Sequence, residues 1–168
     1  SPIITAPMAR VAPMRYLSRQ GGNAMTTPLS GSCLCGAIRY TVEVPIPELR
    51  ACHCTHCQKA SGAAGSVNAV IPSAAFHITQ GRPKRYDAAA DSGRTLYRFF
   101  CGNCGSPIYS QRATAPETVA LRAGTLDSGG GMRITTNIWT ASARPWAYVD
   151  PASKQFAGQP DAPPPRKS

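Results

Sequence analysis

The sequence predicts a mainly β domain of many short strands, and three observations carry that reading. The chain holds 16 Pro and 15 Gly in 168 residues, a composition that interrupts long helices and suits turns between short strands. One segment alternates strictly, with Ile38, Tyr40, Val42 and Val44 separated by Arg39, Thr41 and Glu43. That is the period-2 pattern of a strand buried on one face. Further short apolar runs follow at close spacing, as in an all-β, sandwich-like domain. With 42% hydrophobic residues the chain can bury a core.

Taken in order, residues 1–28 read as an extension. Pro2, Pro7, Pro13 and Pro28 break any helix there, and Arg10, Arg15 and Arg19 stand without an acid. That composition is shared with organelle transit peptides, but Met25 is a natural start. The first strand, residues 38–44, ends at Pro45 and Pro47. Residues 51–62 form a Cys-rich loop that closes in one helical turn around Gln58, Lys59 and Ala60. Strands are expected at residues 66–71, 76–79, 94–100, 107–110, 118–123 and 134–140. After Phe156 the chain turns Pro-rich and polar, and residues 157–168 bury too little apolar surface to order themselves. The domain is thus placed at residues 29–156. No apolar run approaches the ~20 residues of a membrane span, and no segment reads as a secretory signal. The expectation is a soluble, cytoplasmic protein.

The formal charge of +10 points toward nucleic acid or another acidic partner. Metal-bound cysteine is thiolate, however. Counting seven thiolates and two Zn²⁺, and setting aside the two terminal segments, leaves about +3 on residues 29–156. So small an excess suits a small anionic ligand as well as it suits nucleic acid, and a nucleic-acid partner is not expected.

Seven cysteines are an odd set, and they cluster at CxC and CxxC spacing. Both facts favour metal in a reducing compartment over a disulfide framework. The clusters are Gly31-Ser-Cys33-Leu-Cys35-Gly36, Cys52-His-Cys54-Thr-His-Cys57-Gln-Lys and Cys101-Gly-Asn-Cys104-Gly105. Cys101 and Cys104 form a knuckle whose turn is eased by Gly102 and Gly105, which tolerate positive φ. Cys33 and Cys35, two apart at a strand entrance, present both sulfurs on one side. Together they make the four ligands of a closed structural zinc site. Cys52, Cys54 and Cys57 remain, and three protein ligands with one exchangeable position characterise catalytic zinc. His53 or His56 can instead close that position, and a redox-active trio without metal is a further reading. His77, beside Phe76 and far from every cluster, reads as a hydrogen-bonded structural residue. Lys59 and Arg98 lie beside clusters in sequence and read as solvated charges that can also meet a carboxylate.

These motifs resemble the family of glutathione-dependent formaldehyde-activating enzymes and centromere protein V-like proteins. The resemblance spans residues 29–156. It rests on Gly-Ser-Cys-Leu-Cys-Gly at 31–36, Cys-His-Cys-Thr-His-Cys-Gln-Lys-Ala-Ser-Gly at 52–62 and Phe-Cys-Gly-Asn-Cys-Gly-Ser-Pro-Ile at 100–108. Leu-Arg-Ala-Gly-Thr-Leu-Asp at 121–127, Ile138-Trp139 and Arg144-Pro145-Trp146 add to it. It implies a zinc-stapled, two-sheet complex β fold. It also implies a structural zinc on Cys33, Cys35, Cys101 and Cys104 and a second zinc on Cys52, Cys54 and Cys57. Asn137 stands where the resemblance leads one to expect His.

The implied activity is that of a carbon–sulfur lyase acting on a thiol and a small aldehyde, such as glutathione plus formaldehyde giving S-hydroxymethylglutathione. Lys59, Arg98 or Arg144 would meet a glutathione carboxylate. The rival readings are a zinc-stapled binding module for nucleic acid or protein, and a thiolate or zinc sensor.

Overall fold

A computed structural model of the chain describes residues 28–89 and 95–160. The extension read at residues 1–28 lies outside these apart from Pro28, as does the tail beyond residue 160. In chain order the elements are β1 (Leu29–Ser32), β2 (Arg39–Val42), β3 (Glu48–Cys52), α1 (Thr55–Ser61), β4 (Ser66–Pro72) and β5 (Phe76–Gln80). There follow β6 (Lys84–Ala89), β7 (Thr95–Phe100), β8 (Pro107–Arg112), β9 (Ala115–Arg122), β10 (Arg133–Ile138) and β11 (Lys154–Phe156). Short 3₁₀ turns lie at Ser73–Ala75, Ala123–Thr125 and Thr140–Ser142.

The strands form two sheets. One has the order β1-β2-β5, and the other runs β11-β10-β3-β4-β9-β8-β7-β6. Leu29, Tyr40 and Val42 from the smaller sheet, with Ile38 just before β2, meet Ala69, Ile71, Val119, Leu121 and Ile108 from the larger one in a single core. Removing these side chains from water is the main force joining the sheets. Tyr40 shows how tightly they fit. Its phenol end fills the space beside Gly31, where an added Cβ would collide with Cζ and with the hydroxyl oxygen, and its hydroxyl bonds Thr125 Oγ1 at 2.7 Å.

The fold is the expected mainly β, two-sheet arrangement, but several bounds differ. The alternating segment is extended only over β2, while Val44 leaves the ladder and still packs on the core. The helix runs over seven residues rather than one turn, because Cys54 caps its start and Gly62, at φ 65°, ends it. β10 stops at Ile138 rather than at Thr140, because Trp139 turns left-handed at φ 59°. β1, β3, β6 and β11 were not expected. β3 lies between β10, which runs parallel to it, and β4, which runs antiparallel. It is this central position that carries Cys52 into the site.

Candidate functional site: two cysteine clusters and a basic cleft

Cys33 and Cys35 lie in the turn between β1 and β2, not at a strand entrance. The turn is set by Gly36 N–H donating to the Cys33 carbonyl and by the left-handed Gly36 at φ 74°. That curl, rather than strand alternation, aims both sulfurs the same way. Cys101 and Cys104 occupy the turn between β7 and β8. Gly105 there is left-handed at φ 75°, whereas Gly102 has no positive φ. Gly102 instead leaves room for the Lys84 stem, which an added Cβ would strike at 2.8 Å.

The four sulfurs lie within 4.8 Å of one another. Cys33–Cys35 and Cys35–Cys101 separations are 3.5 and 3.8 Å. A tetrahedral zinc with Zn–S of about 2.3 Å places its sulfurs roughly 3.8 Å apart, so this donor set fits such an ion. The backbone prepares the sulfurs for charge. Ile38 N–H donates to Cys33 Sγ at 3.2 Å, and the Ser106 hydroxyl lies 3.2 Å from Cys104 Sγ. Ser106, through its hydroxyl and then its backbone, brings the Cys104 thiol down to about 5.

The second group is Cys52, Cys54 and Cys57, whose sulfurs also lie within 4.8 Å of one another. Cys52 ends β3. Cys54 is the N-cap of α1, its Sγ accepting from Cys57 N–H at 3.4 Å. The CxxC spacing therefore pairs a cap residue with the third residue of the helix, on one side of its first turn. Gly65 lets the returning chain press against the Cys52 carbonyl, a space that any Cβ would fill. Contacts with Cys52 and then Cys54 hold the Cys57 thiol far below its usual range, and the Arg122 guanidinium adds to this. Ile138 and Trp139 pack against the trio as its apolar wall.

Among the described residues, no His, Cys, Asp or Glu side chain joins the trio as a fourth donor. His53 is buried, and its Nε2 lies 2.9 Å from Asn137 Oδ1. Asn137 Nδ2 donates to Ser153 Oγ at 2.7 Å, and Ser153 Oγ donates to the Asp150 carbonyl. The direction of this chain makes His53 Nε2 the donor. Asn137 thus holds His53 in place, away from the ligand set. Gln58, also buried, donates to the carbonyls of His53 and Ser142 and accepts from Arg144 Nε at 2.7 Å. It ties α1 to the segment after Trp139.

The cations singled out in the sequence do not face the trio. Arg144 is used on Gln58, and Lys59 is exposed in the last helical turn. Arg98 lines a separate cavity of about 260 Å³ with Tyr86 and Phe100, its Nη1 buried without a partner. His77 makes a 3.5 Å contact with Glu43, with both side chains exposed to solvent.

The cleft that opens on Cys52 and Cys57 has a volume of about 160 Å³ and is lined by three other arginines, Arg50, Arg112 and Arg122. Arg50, Asn68 and Arg122 are cross-strand partners in one row over β3, β4 and β9. Arg50 precedes Cys52 by two, so both share a sheet face. That alternation was present in the sequence. The row of partners from distant strands was not readable there.

Comparison with known proteins agrees with this geometry. A family model described as glutathione-dependent formaldehyde-activating enzyme matches residues 28–142. A Halomonas elongata protein named "Putative glutathione-dependent formaldehyde-activating enzyme" is 33% identical over 105 residues, covering 60% of this chain and 66% of the relative. A Sordaria macrospora protein of the same name is 31% identical over 90 residues, covering 50% of this chain and 37% of the relative. The matched stretch thus spans about two thirds of one relative and little more than a third of the other. A crystal structure of a Rhodobacter sphaeroides protein has the same fold, with a TM-score of 0.50 at 22% identity, covering 61% of this chain and 91% of that one. The match over most of its length, together with the cysteine clusters it contains, means that the chain belongs to the glutathione-dependent formaldehyde-activating enzyme family.

Proposed function

We propose that residues 29–156 form a zinc-dependent enzyme that joins a small thiol to a small aldehyde, with glutathione and formaldehyde giving S-hydroxymethylglutathione. The single observation that carries this reading is the trio itself, three sulfurs within 4.8 Å and no fourth protein donor among the described residues. In this reading Cys33, Cys35, Cys101 and Cys104 hold a structural zinc. Cys52, Cys54 and Cys57 hold a second one, which supplies Lewis acidity to a thiol or a carbonyl oxygen at its open position. Seven free cysteines suit a reducing compartment such as the cytoplasm.

The reaction is balanced without a further reactant. The thiol sulfur bonds to the carbonyl carbon, the C=O π bond breaks, and the thiol proton ends on the new hydroxyl. The reverse breaks a carbon–sulfur bond, which is lyase chemistry. The chain's own contribution is placement. Cys54 and Cys57 are locked by the helix cap, Gln58 and Arg144 anchor the helix, and Ile138 and Trp139 keep water from one side. Holding both reactants together supplies much of the rate gain.

Exchange NMR of glutathione with formaldehyde tests this reading. Wild-type protein is expected to speed adduct exchange, and Cys54→Ser to remove at least about 90% of the gain, as a lost catalytic group does. Equal exchange rates with and without wild-type protein would sink it.

A further inference from the structure

The cleft at the trio has a charge pattern that the cysteines do not explain. Arg50, Arg112 and Arg122 line it, and no Asp or Glu does. Buried or half-buried arginines are normally paired. Arg122 is satisfied by Asn68 Oδ1, with Ser110 Oγ at 3.4 Å. Arg50 and Arg112 are half-buried, and neither side chain has a hydrogen bond or ion pair among the described residues. Two unpaired forks therefore stand around one small cavity, above a third that is fixed. Within the lining the negative groups are those of the trio, and a divalent ion held by three thiolates leaves only about −1 there. The cleft keeps a net positive charge with the metal in place. Val70, 48% exposed, lies at its lining and marks a side open to solvent.

Guanidinium forks match carboxylates in a bidentate way. Cys52 and Cys57 lie in the same lining, so a ligand that puts its sulfur at the trio puts its other groups beside the arginines. We infer that Arg50 and Arg112 receive the carboxylates of the thiol substrate, and that this cleft selects anionic, peptide-like thiols over neutral or cationic ones. Arg122 is a positioning residue. It spans Asn68 and Ser110, and so holds the row in which Arg50 stands. This inference rests on the thiol–aldehyde reading of the site for its choice of ligand.

The test uses the metal-loaded full chain and S-methylglutathione, which keeps both carboxylates and has no reactive thiol. Calorimetry would compare wild type, Arg50→Met, Arg112→Met, the double variant, and Arg82→Met as a control at an exposed turn. Each single variant in the cleft is expected to weaken binding about ten- to a hundredfold, the loss of a charge-assisted contact. The control is expected to bind as wild type does. The carboxylate diester of S-methylglutathione is expected to bind wild type and double variant alike.

In turnover, Arg50→Met and Arg112→Met should raise KM for glutathione and leave KM for cysteamine unchanged. Metal content and circular dichroism matching wild type exclude misfolding as the cause. Equal affinity of wild type and double variant for S-methylglutathione, or no binding to wild type, overturns the inference even where adduct formation is fast. Arginine-dependent binding with no effect on exchange instead leaves the carboxylate cleft standing and removes the proposed reaction. Phosphate competing with S-methylglutathione more strongly than succinate does would assign the cleft to phosphate and also overturn it.

Discussion

His53 sits between two cysteines of the trio and is kept from them by one amide. Asn137 accepts from His53 Nε2 at 2.9 Å and donates to Ser153 at 2.7 Å, and it is nearly fully buried. Removing that amide strands the buried His53 Nε2, and the His53 Nδ1 already lacks a partner among the described residues. A buried donor left unsatisfied costs about 1–3 kcal/mol. Asn137→Leu, close in size, is therefore expected to lower stability by about that amount in urea unfolding, with the first cysteine cluster still holding metal. An unchanged midpoint would mean that the chain from His53 to Asp150 is not a stabilising unit. The sequence marked position 137 as unusual but not its role. What matters is a contact 84 residues away, set by parallel pairing of β3 with β10. The arginines of the cleft were missed for the same reason. Arg50 and Arg122 also stand beside or within motifs in sequence, but they come together only through the register of β3, β4 and β9.

At the scale of elements, a metal ion held by the four-cysteine cluster would staple two turns together. One pair lies between β1 and β2 in the small sheet, the other between β7 and β8 in the large one. Such a link would join both sheets at the shared core, to which Cys33 and Cys101 belong. Cys35 is the useful probe, because it is exposed while Cys33 and Cys101 are buried. Cys35→Ser leaves core packing intact and removes one ligand. It is expected to lower stability by about 3 kcal/mol or more, a midpoint shift on the order of 10 °C. Cys54→Ser should cost less, since its cap hydrogen bond can be kept by the serine hydroxyl. Differential scanning calorimetry of the two variants checks the order, and a larger loss for Cys54→Ser would reverse the roles of the clusters. How the elements themselves were legible follows the same physics. β2, β4 and β9 alternate or run apolar and could be read. β6, Lys84–Ala89, is almost wholly exposed and lies at the sheet edge, so no buried face wrote a pattern into it. β11 is three exposed residues held by parallel pairing to β10. β3 is short, and one of its two partners, β10, lies far away in sequence.

For the molecule as a whole, the two clusters differ in ligand number and in what depends on them. The four-sulfur group gathers turns from the two sheets, and the three-sulfur group ends on the edge of a cleft. Metal held by four thiolates across long-range turns is coupled to folding, because the unfolded chain has no such site. Metal held by three thiolates from residues 52–57 depends on one strand end and one helix cap. The difference predicts two steps on titration with a chelator. Metal analysis is expected to give two zinc ions per chain before titration and one after the first step, with far-UV circular dichroism unchanged and glutathione–formaldehyde exchange lost. The second ion should leave only as the fold unravels. Lower pH should move both steps to weaker chelator, since protons compete with metal for thiolate sulfur. A single cooperative loss of both ions with unfolding would mean that the trio is part of the scaffold rather than an exchangeable site.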